Sequence, residues 1–135
     1  MCMMSCVYTQ GMLHHLSLAV ADLQKAAAFY DAVLLPLAYE RVWTFSDAVG
    51  YGVPGGGDKF AIKTQAQPVA APGPGFHLAF AAKSRAAVNA FYATAIAHGA
   101  RDNGAPGLCP EYGPQYYAAF VFDLDGYPIE AVIVG

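Results

Sequence analysis

Charge is what this chain has least of. Asp, Glu, Lys and Arg make up only 13% of its 135 residues, and the seven Lys and Arg are scattered under a net charge of −3. Nucleic-acid binding calls for a clustered basic footprint, so that class is excluded. Cysteine is equally scarce. Cys2, Cys6 and Cys109 are odd in number and lack metal-ligand spacing, so no disulfide framework is implied. No apolar run reaches the length of a membrane span. The opening "MCMMSCVYTQ" lacks the basic head and long apolar stretch of a secretory signal, so the expected compartment is the reducing cytoplasm. Met12 offers a second start, which makes residues 1–11 an extension.

Apolar residues are plentiful, and the length suits one domain with its own core. A chain that spends so little on a solvated surface either buries an extra face in an oligomer or lines an apolar pocket. A homodimer is the expected assembly.

The chain also repeats itself. "HLSLAVADLQKAAAFY" from His15 returns as "HLAFAAKSRAAVNAFY" from His77, with six of sixteen positions identical. Each copy reads as a strand, a capped turn and a helix. Asp22 and Ser84 stand where N-caps belong, Leu35-Pro36 ends the first helix and Gly99 stops the second. Three strand candidates follow the first helix, "YERVWTF", "AVGYGV" and "KFAIKT", with "GVPGGGD" as a hairpin loop. After the second helix come a short strand near Arg101 to Ala105, then "YYAAFVF", and "PIEAVIV" beyond the turn "DLDGY". The Pro- and Gly-rich stretch 65–75 is a linker. The fold class is therefore α+β: two βαβββ modules, about 12–64 and 76–135, in a single domain over 12–135.

Alternation in a strand puts His15, Ser17 and Ala19 on one face and Leu16, Leu18 and Val20 on the other. The second copy divides likewise, His77, Ala79 and Ala81 against Leu78, Phe80 and Ala82. The bulky faces pack on helices; the small-residue faces leave room for a cavity, which a packed core would fill. His14 is expected to face away from His15. Glu130 interrupts an apolar strand, and buried carboxylates rarely lack a partner or a metal. A single strand His or Glu is more often structural. Two histidines at equivalent repeat positions are different: an approximate two-fold brings them together. His15, His77 and Glu130 then form a facial site for a divalent transition metal, Zn, Ni, Mn, Fe or Co. Of the adjacent Tyr116 and Tyr117, only one can turn its phenol into the cup, and the β-preference of Tyr makes strand packing the commoner role for either. Cys109, in "PGLCP", reads as a loop thiol without a nearby base.

The stretches "HLSLAVADLQKAAAFYDAVL", "HLAFAA" and "FVFDLDGYPIEAV" resemble the vicinal oxygen chelate superfamily, the glyoxalase/bleomycin resistance/dioxygenase fold, over about residues 13–134. Within it, "DNGAPGLCPEYGPQYYAAFVFDLDGYPIEAV" is similar to small single-domain glyoxalase-like proteins. The resemblance implies a curled mixed sheet forming a cup, with His15, His77 and Glu130 at the metal-ligand positions. Its shared chemistry is chelation of two adjacent substrate oxygens by a Lewis-acid metal.

The chain departs from the glyoxalase I pattern where that enzyme has a further Glu: matching Gly57 to Gly126 puts Ala61 opposite Glu130. It also departs from its near subfamily at Cys109, where Arg is commoner, and at "EYGP", where His-Tyr-His-Pro is commoner. Two functions follow. One is a metal-dependent enzyme of lyase, transferase or dioxygenase type, acting on a small molecule with vicinal oxygens, with Glu130 and Tyr116 or Tyr117 in the reaction. The other is a non-catalytic binder of the bleomycin-resistance type, for which Trp43, Phe45, Tyr51 and Phe120 supply aromatic surface.

Overall fold

The structure, a computed structural model, describes residues 11–135. The extension read over residues 1–11, and with it Cys2 and Cys6, lies almost wholly outside the described residues. Module one runs β1 (Leu16–Ala19), α1 (Leu23–Leu34), a 3-10 turn (Leu35–Leu37), β2 (Glu40–Thr44), β3 (Ala48–Gly52) and β4 (Phe60–Lys63). Module two runs β5 (Leu78–Ala81), α2 (Arg85–Ala97), β6 (Arg101–Asp102), β7 (Gly107–Leu108), β8 (Tyr116–Phe122) and β9 (Pro128–Val134). No helix among the described residues is long and apolar enough to cross a membrane.

The helices start where their caps dictate. The Asp22 carboxylate accepts from the Lys25 amide at 3.1 Å, and Ser84 Oγ accepts from the Ala87 amide at 3.0 Å. Gly99 closes α2 in the left-handed region, at φ 99°. The first helix ends differently. Pro36 tightens it into the 3-10 turn, and Ala38 takes the left-handed conformation at φ 69°.

The repeat is visible in the hydrogen-bond register. Sheet one has the order β1-β4-β3-β2, and sheet two the order β5-β9-β8-β6, with β7 added beside β8. In parallel pairing Leu16 meets Phe60 and Ser17 meets Ala61; in module two Leu78 meets Ile129 and Ala79 meets Glu130. Shifting each β1 residue by the 62-residue repeat gives its β5 counterpart, so Ala61 holds the place of Glu130. The Phe29 and Phe91 rings are both buried at matching helix positions. Their tyrosine neighbours diverge: Tyr30 is buried, whereas Tyr92 donates to Asp102 near the surface.

The mixed α+β arrangement expected is built as two sheets, one per module. Their edge strands β1 and β5 are capped instead of paired. Tyr127 Oη donates to the Ala19 carbonyl at 2.8 Å, and Tyr39 Oη donates to the equivalent Ala81 carbonyl at 2.7 Å. Each tyrosine reaches from the other module, satisfying an edge acceptor that would otherwise be free. Both helices and the bulky strand faces form one continuous core through the two modules.

The opposite faces are open. Ser17, Ala79 and Ala81 are exposed, as small residues in the expected alternation but without a covering layer. On module one this face carries the only tryptophan of the chain. The Trp43 indole lies over Gly50, where a Cβ would sit 2.3 Å from Cε2, and stacks on Phe45 at 5.0 Å. Gly50→Ala must therefore lift the indole off the sheet. A red shift of the intrinsic fluorescence and a loss of about 1–3 kcal/mol in urea unfolding are expected; an unchanged emission maximum would show that the indole does not rest there.

Candidate functional site

Glu130 is the centre of the site. It stands mid-strand in β9, between β5 and β8, and is 1% exposed. An isolated carboxylate at that depth is costly, and two partners offset the cost. Tyr116 Oη donates to Oε2 at 2.6 Å, and His77 Nε2 lies 3.0 Å from Oε1. The register explains the meeting. Pairing of Phe120 with Glu130 and of Ala79 with Glu130 puts Tyr116, Glu130 and His77 on the same open face. The Tyr116 phenol is held well above its ordinary pKa, by burial first and then by the bond to Glu130 and its charge. It is a firm donor near neutral pH and not a base.

Tyr117 points the other way. Its hydroxyl donates to Asn89 Oδ1 on α2 at 2.7 Å, and Arg85 stacks over its ring. Of the two tyrosines, it is Tyr116 that faces the site. The side chain of His77 is 57% exposed, so its ring bridges the buried carboxylate and solvent.

His15 lines a different depression, an apolar cleft of about 270 Å³ between the modules, with Leu34, Tyr39, Phe60 and Phe80. Among the described residues no three His, Cys, Asp or Glu side chains group as a metal-holding cluster. One chain thus brings together His77, Glu130 and Tyr116, and leaves His15 apart from them. His14 does not face away from His15: their Nδ1 atoms are 2.9 Å apart. The reason is that β1 begins at Leu16, so strand alternation does not govern residues 14 and 15.

Beside Glu130 opens a polar depression of about 340 Å³, within the range of small-molecule sites. Its lining includes His77, Asn103, Cys109, Glu111, Tyr112 and Phe120. The thiol read as remote therefore shares a pocket with the His77 imidazole. Pairing of β7 with β8 brings it there, extended by the Cys109 amide donating to the Tyr116 carbonyl at 2.8 Å. Burial, then Glu111 and Glu130, push the Cys109 thiol up, which keeps it protonated and a weak nucleophile. Sequence reasoning marked the loop of Cys109 and "EYGP" only as a departure from the near subfamily, and passed over Asn103, since loops lack the periodicity that marks faces.

The architecture is that of a paired-module α+β protein, with a buried carboxylate and a histidine on one face of the second sheet. The sequence matches the Glyoxalase/Bleomycin resistance protein/Dioxygenase superfamily over residues 12–131, and the chain belongs to it. Solved structures agree. A glyoxalase/bleomycin resistance protein from Albidiferax ferrireducens T118 is 33% identical, with a TM-score of 0.78 over 90% of this chain and 98% of that one. A glyoxalase-like protein from Bacillus halodurans is 28% identical, with a TM-score of 0.70 over 93% and 98%. A glyoxalase/bleomycin resistance protein/dioxygenase family enzyme from Burkholderia phytofirmans PsJN, 18% identical, shares the fold at a TM-score of 0.70 over 93% and 100%. No curated protein matches the sequence.

Proposed function

We propose that the chain is a divalent-metal-dependent, glyoxalase-like enzyme acting on a small molecule with two adjacent oxygens. The buried Glu130 carries this reading: Tyr116 fixes one carboxylate oxygen and the other is turned toward His77 Nε2. Two donors bound to one ion at about 2.0–2.2 Å lie about 3 Å apart, so the His77–Glu130 spacing suits a shared ion. A carboxylate ligand that is itself hydrogen-bonded is the usual second layer of such a site. His77 and Glu130 would hold the ion, which when bound supplies Lewis acidity to the two substrate oxygens.

The third ligand is the partner's His15 in a homodimer. Two observations support that assembly. His15 stands apart from the other two within one chain, and the open faces of both sheets are uncovered, with Phe45 and Val134 more than 60% exposed. In the reaction, Tyr116 holds the Glu130 carboxylate in place with its phenol still protonated. Glu130 is the group near the substrate able to accept a proton.

A second reading is a non-catalytic binder of the same fold. It is favoured by the fact that His77 and Tyr116 already satisfy Glu130. Metal content separates the two. Protein purified without chelators should carry about one divalent ion per chain by mass spectrometry and sediment as a dimer, and His15→Ala should lower the metal content. Metal-free protein that also fails to take up added Ni or Zn would decide for the binder.

A further inference from the structure

The two histidines of the repeat are held in different ways. His77 stands opposite a carboxylate: its Nε2 lies 3.0 Å from Glu130 Oε1, on the neighbouring strand. In module one the place of Glu130 is taken by Ala61, on the strand beside β1. His15 therefore has no carboxylate to face, and among the described residues none lies within ion-pair reach of it. What it has is His14. Their Nδ1 atoms are 2.9 Å apart, with the ring planes at 82°. Module two has no counterpart of this contact, because the residue before His77 is Phe76, whose ring lies beside that of Tyr127, 6.2 Å between centroids. The pair is seated where the chain is tied down. The next amide, Leu16, donates to the Lys59 carbonyl at 3.0 Å, and Leu13, His14 and His15 together line the cleft between the modules. Two neutral imidazole nitrogens at this distance share one proton, so one Nδ1 donates and the other accepts.

We infer that His14 is a positioning residue for His15: its Nδ1 accepts from His15 Nδ1–H, which fixes the His15 tautomer and leaves the His15 Nε2 lone pair free for a divalent ion. The inference rests on the reading of His15 as the third metal ligand. In this state His14 carries its own proton on Nε2. The reverse direction is unproductive. With His14 donating, His15 holds its proton on Nε2, the atom that must be bare to bind metal. A ligating imidazole ordinarily donates its other N–H to a fixed acceptor, which sets the tautomer, turns the ring and raises the basicity of the ligating nitrogen. That acceptor is usually a carboxylate, a backbone carbonyl or water. Here the preceding histidine fills the place, in the module whose strand position for a carboxylate is an alanine.

Nitrogen-15 NMR of the imidazoles in chelator-treated protein reads the tautomer without any metal, at about pH 8, where imidazole is neutral. His15 should show the Nδ1–H form in the wild type. In His14→Ala it should shift to the Nε2–H form, which a free histidine side chain favours in water. His14→Asn places a side-chain oxygen near the position of Nδ1 and should keep the wild-type pattern. Competition with a chromophoric chelator for added Zn should then show an affinity about tenfold lower for His14→Ala, the low end for loss of such a partner because the pair is exposed. His14→Asn should restore most of it. Melting temperatures close to wild type are expected for both variants, since neither ring is buried. A wild-type His15 in the Nε2–H form, a tautomer that ignores His14→Ala, or Zn bound equally tightly by wild type and His14→Ala would overturn the inference. A wild type that takes up no Zn, with the tautomer change intact, would fail the metal reading alone and leave His14 as the group that sets the His15 tautomer.

Discussion

Glu130→Gln should strip the protein of its metal without unfolding it. The amide keeps the shape and one oxygen but loses the charge that offsets a divalent ion, so metal affinity should fall 10–100-fold or more. Turnover should be lost with it. Stability should be unchanged or higher, and the surroundings show why. Tyr116 donates to one carboxylate oxygen and His77 Nε2 faces the other. A glutamine can accept from the Tyr116 phenol and donate to a neutral imidazole, so neither partner is orphaned. Meanwhile a charge that is 1% exposed is gone, and replacing a buried charge by a satisfied neutral group is often neutral or stabilising. Metal content by mass spectrometry and the melting temperature of the chelator-treated protein check the two halves. A variant that unfolds, from a wild type that never held metal, would make Glu130 a structural residue and favour the binder.

Part of this site was legible in the residues themselves. The 62-residue offset between His15 and His77 reappears in the pairing of β1 and β5, and the match of Gly57 to Gly126 reappears in their partner strands, where Ala61 holds Glu130's place. Period-two alternation separated Tyr116 from Tyr117, because adjacent strand residues cannot share a face. The misses have physical reasons too. His14 was read with strand geometry two residues before the strand begins. The wall of Cys109, Glu111 and Tyr112 is built by β7 pairing with β8, a two-residue strand too short to leave a pattern. The edges of the two sheets are tied by Tyr127 and Tyr39, which reach carbonyls 108 and 42 residues away. Contacts of that range follow from the assembled core and not from any local propensity.

Asp123→Ala should be among the most destabilising single changes in the chain, although Asp123 lies in what the sequence presents as a turn. "DLDGY" is a staple between the modules. The Asp123 carboxylate is buried and accepts from Tyr30 Oη on α1, from the Asp125 amide and from the Tyr127 amide. Asp125 in turn accepts from the Ala21 amide at the mouth of α1, and Tyr127 caps Ala19. Alanine leaves three donors without their acceptor, Tyr30 among them with 1% exposure. Each buried donor left unpaired costs about 1–3 kcal/mol, so a loss of about 3–5 kcal/mol is expected. In a domain stable by 5–15 kcal/mol, that lowers the melting temperature by more than about 10 °C. Asp123→Asn separates charge from shape. Its Oδ1 keeps both amide bonds, and its amide can donate to the Tyr30 oxygen. Burial raises the Asp123 pKa above its ordinary value despite the three hydrogen bonds that pull it down. The folded protein therefore takes up this proton more readily than the unfolded chain. The stabilising contribution is complete at acid pH, below the ordinary carboxylate value, and is lost as pH rises through the raised one. Relative to Asp123→Asn, the wild type should gain stability as pH falls from 7 toward the carboxylate range, in urea unfolding at matched ionic strength. If the difference between the two stays constant with pH, the carboxylate is not held in that state, and its three hydrogen bonds outweigh its burial.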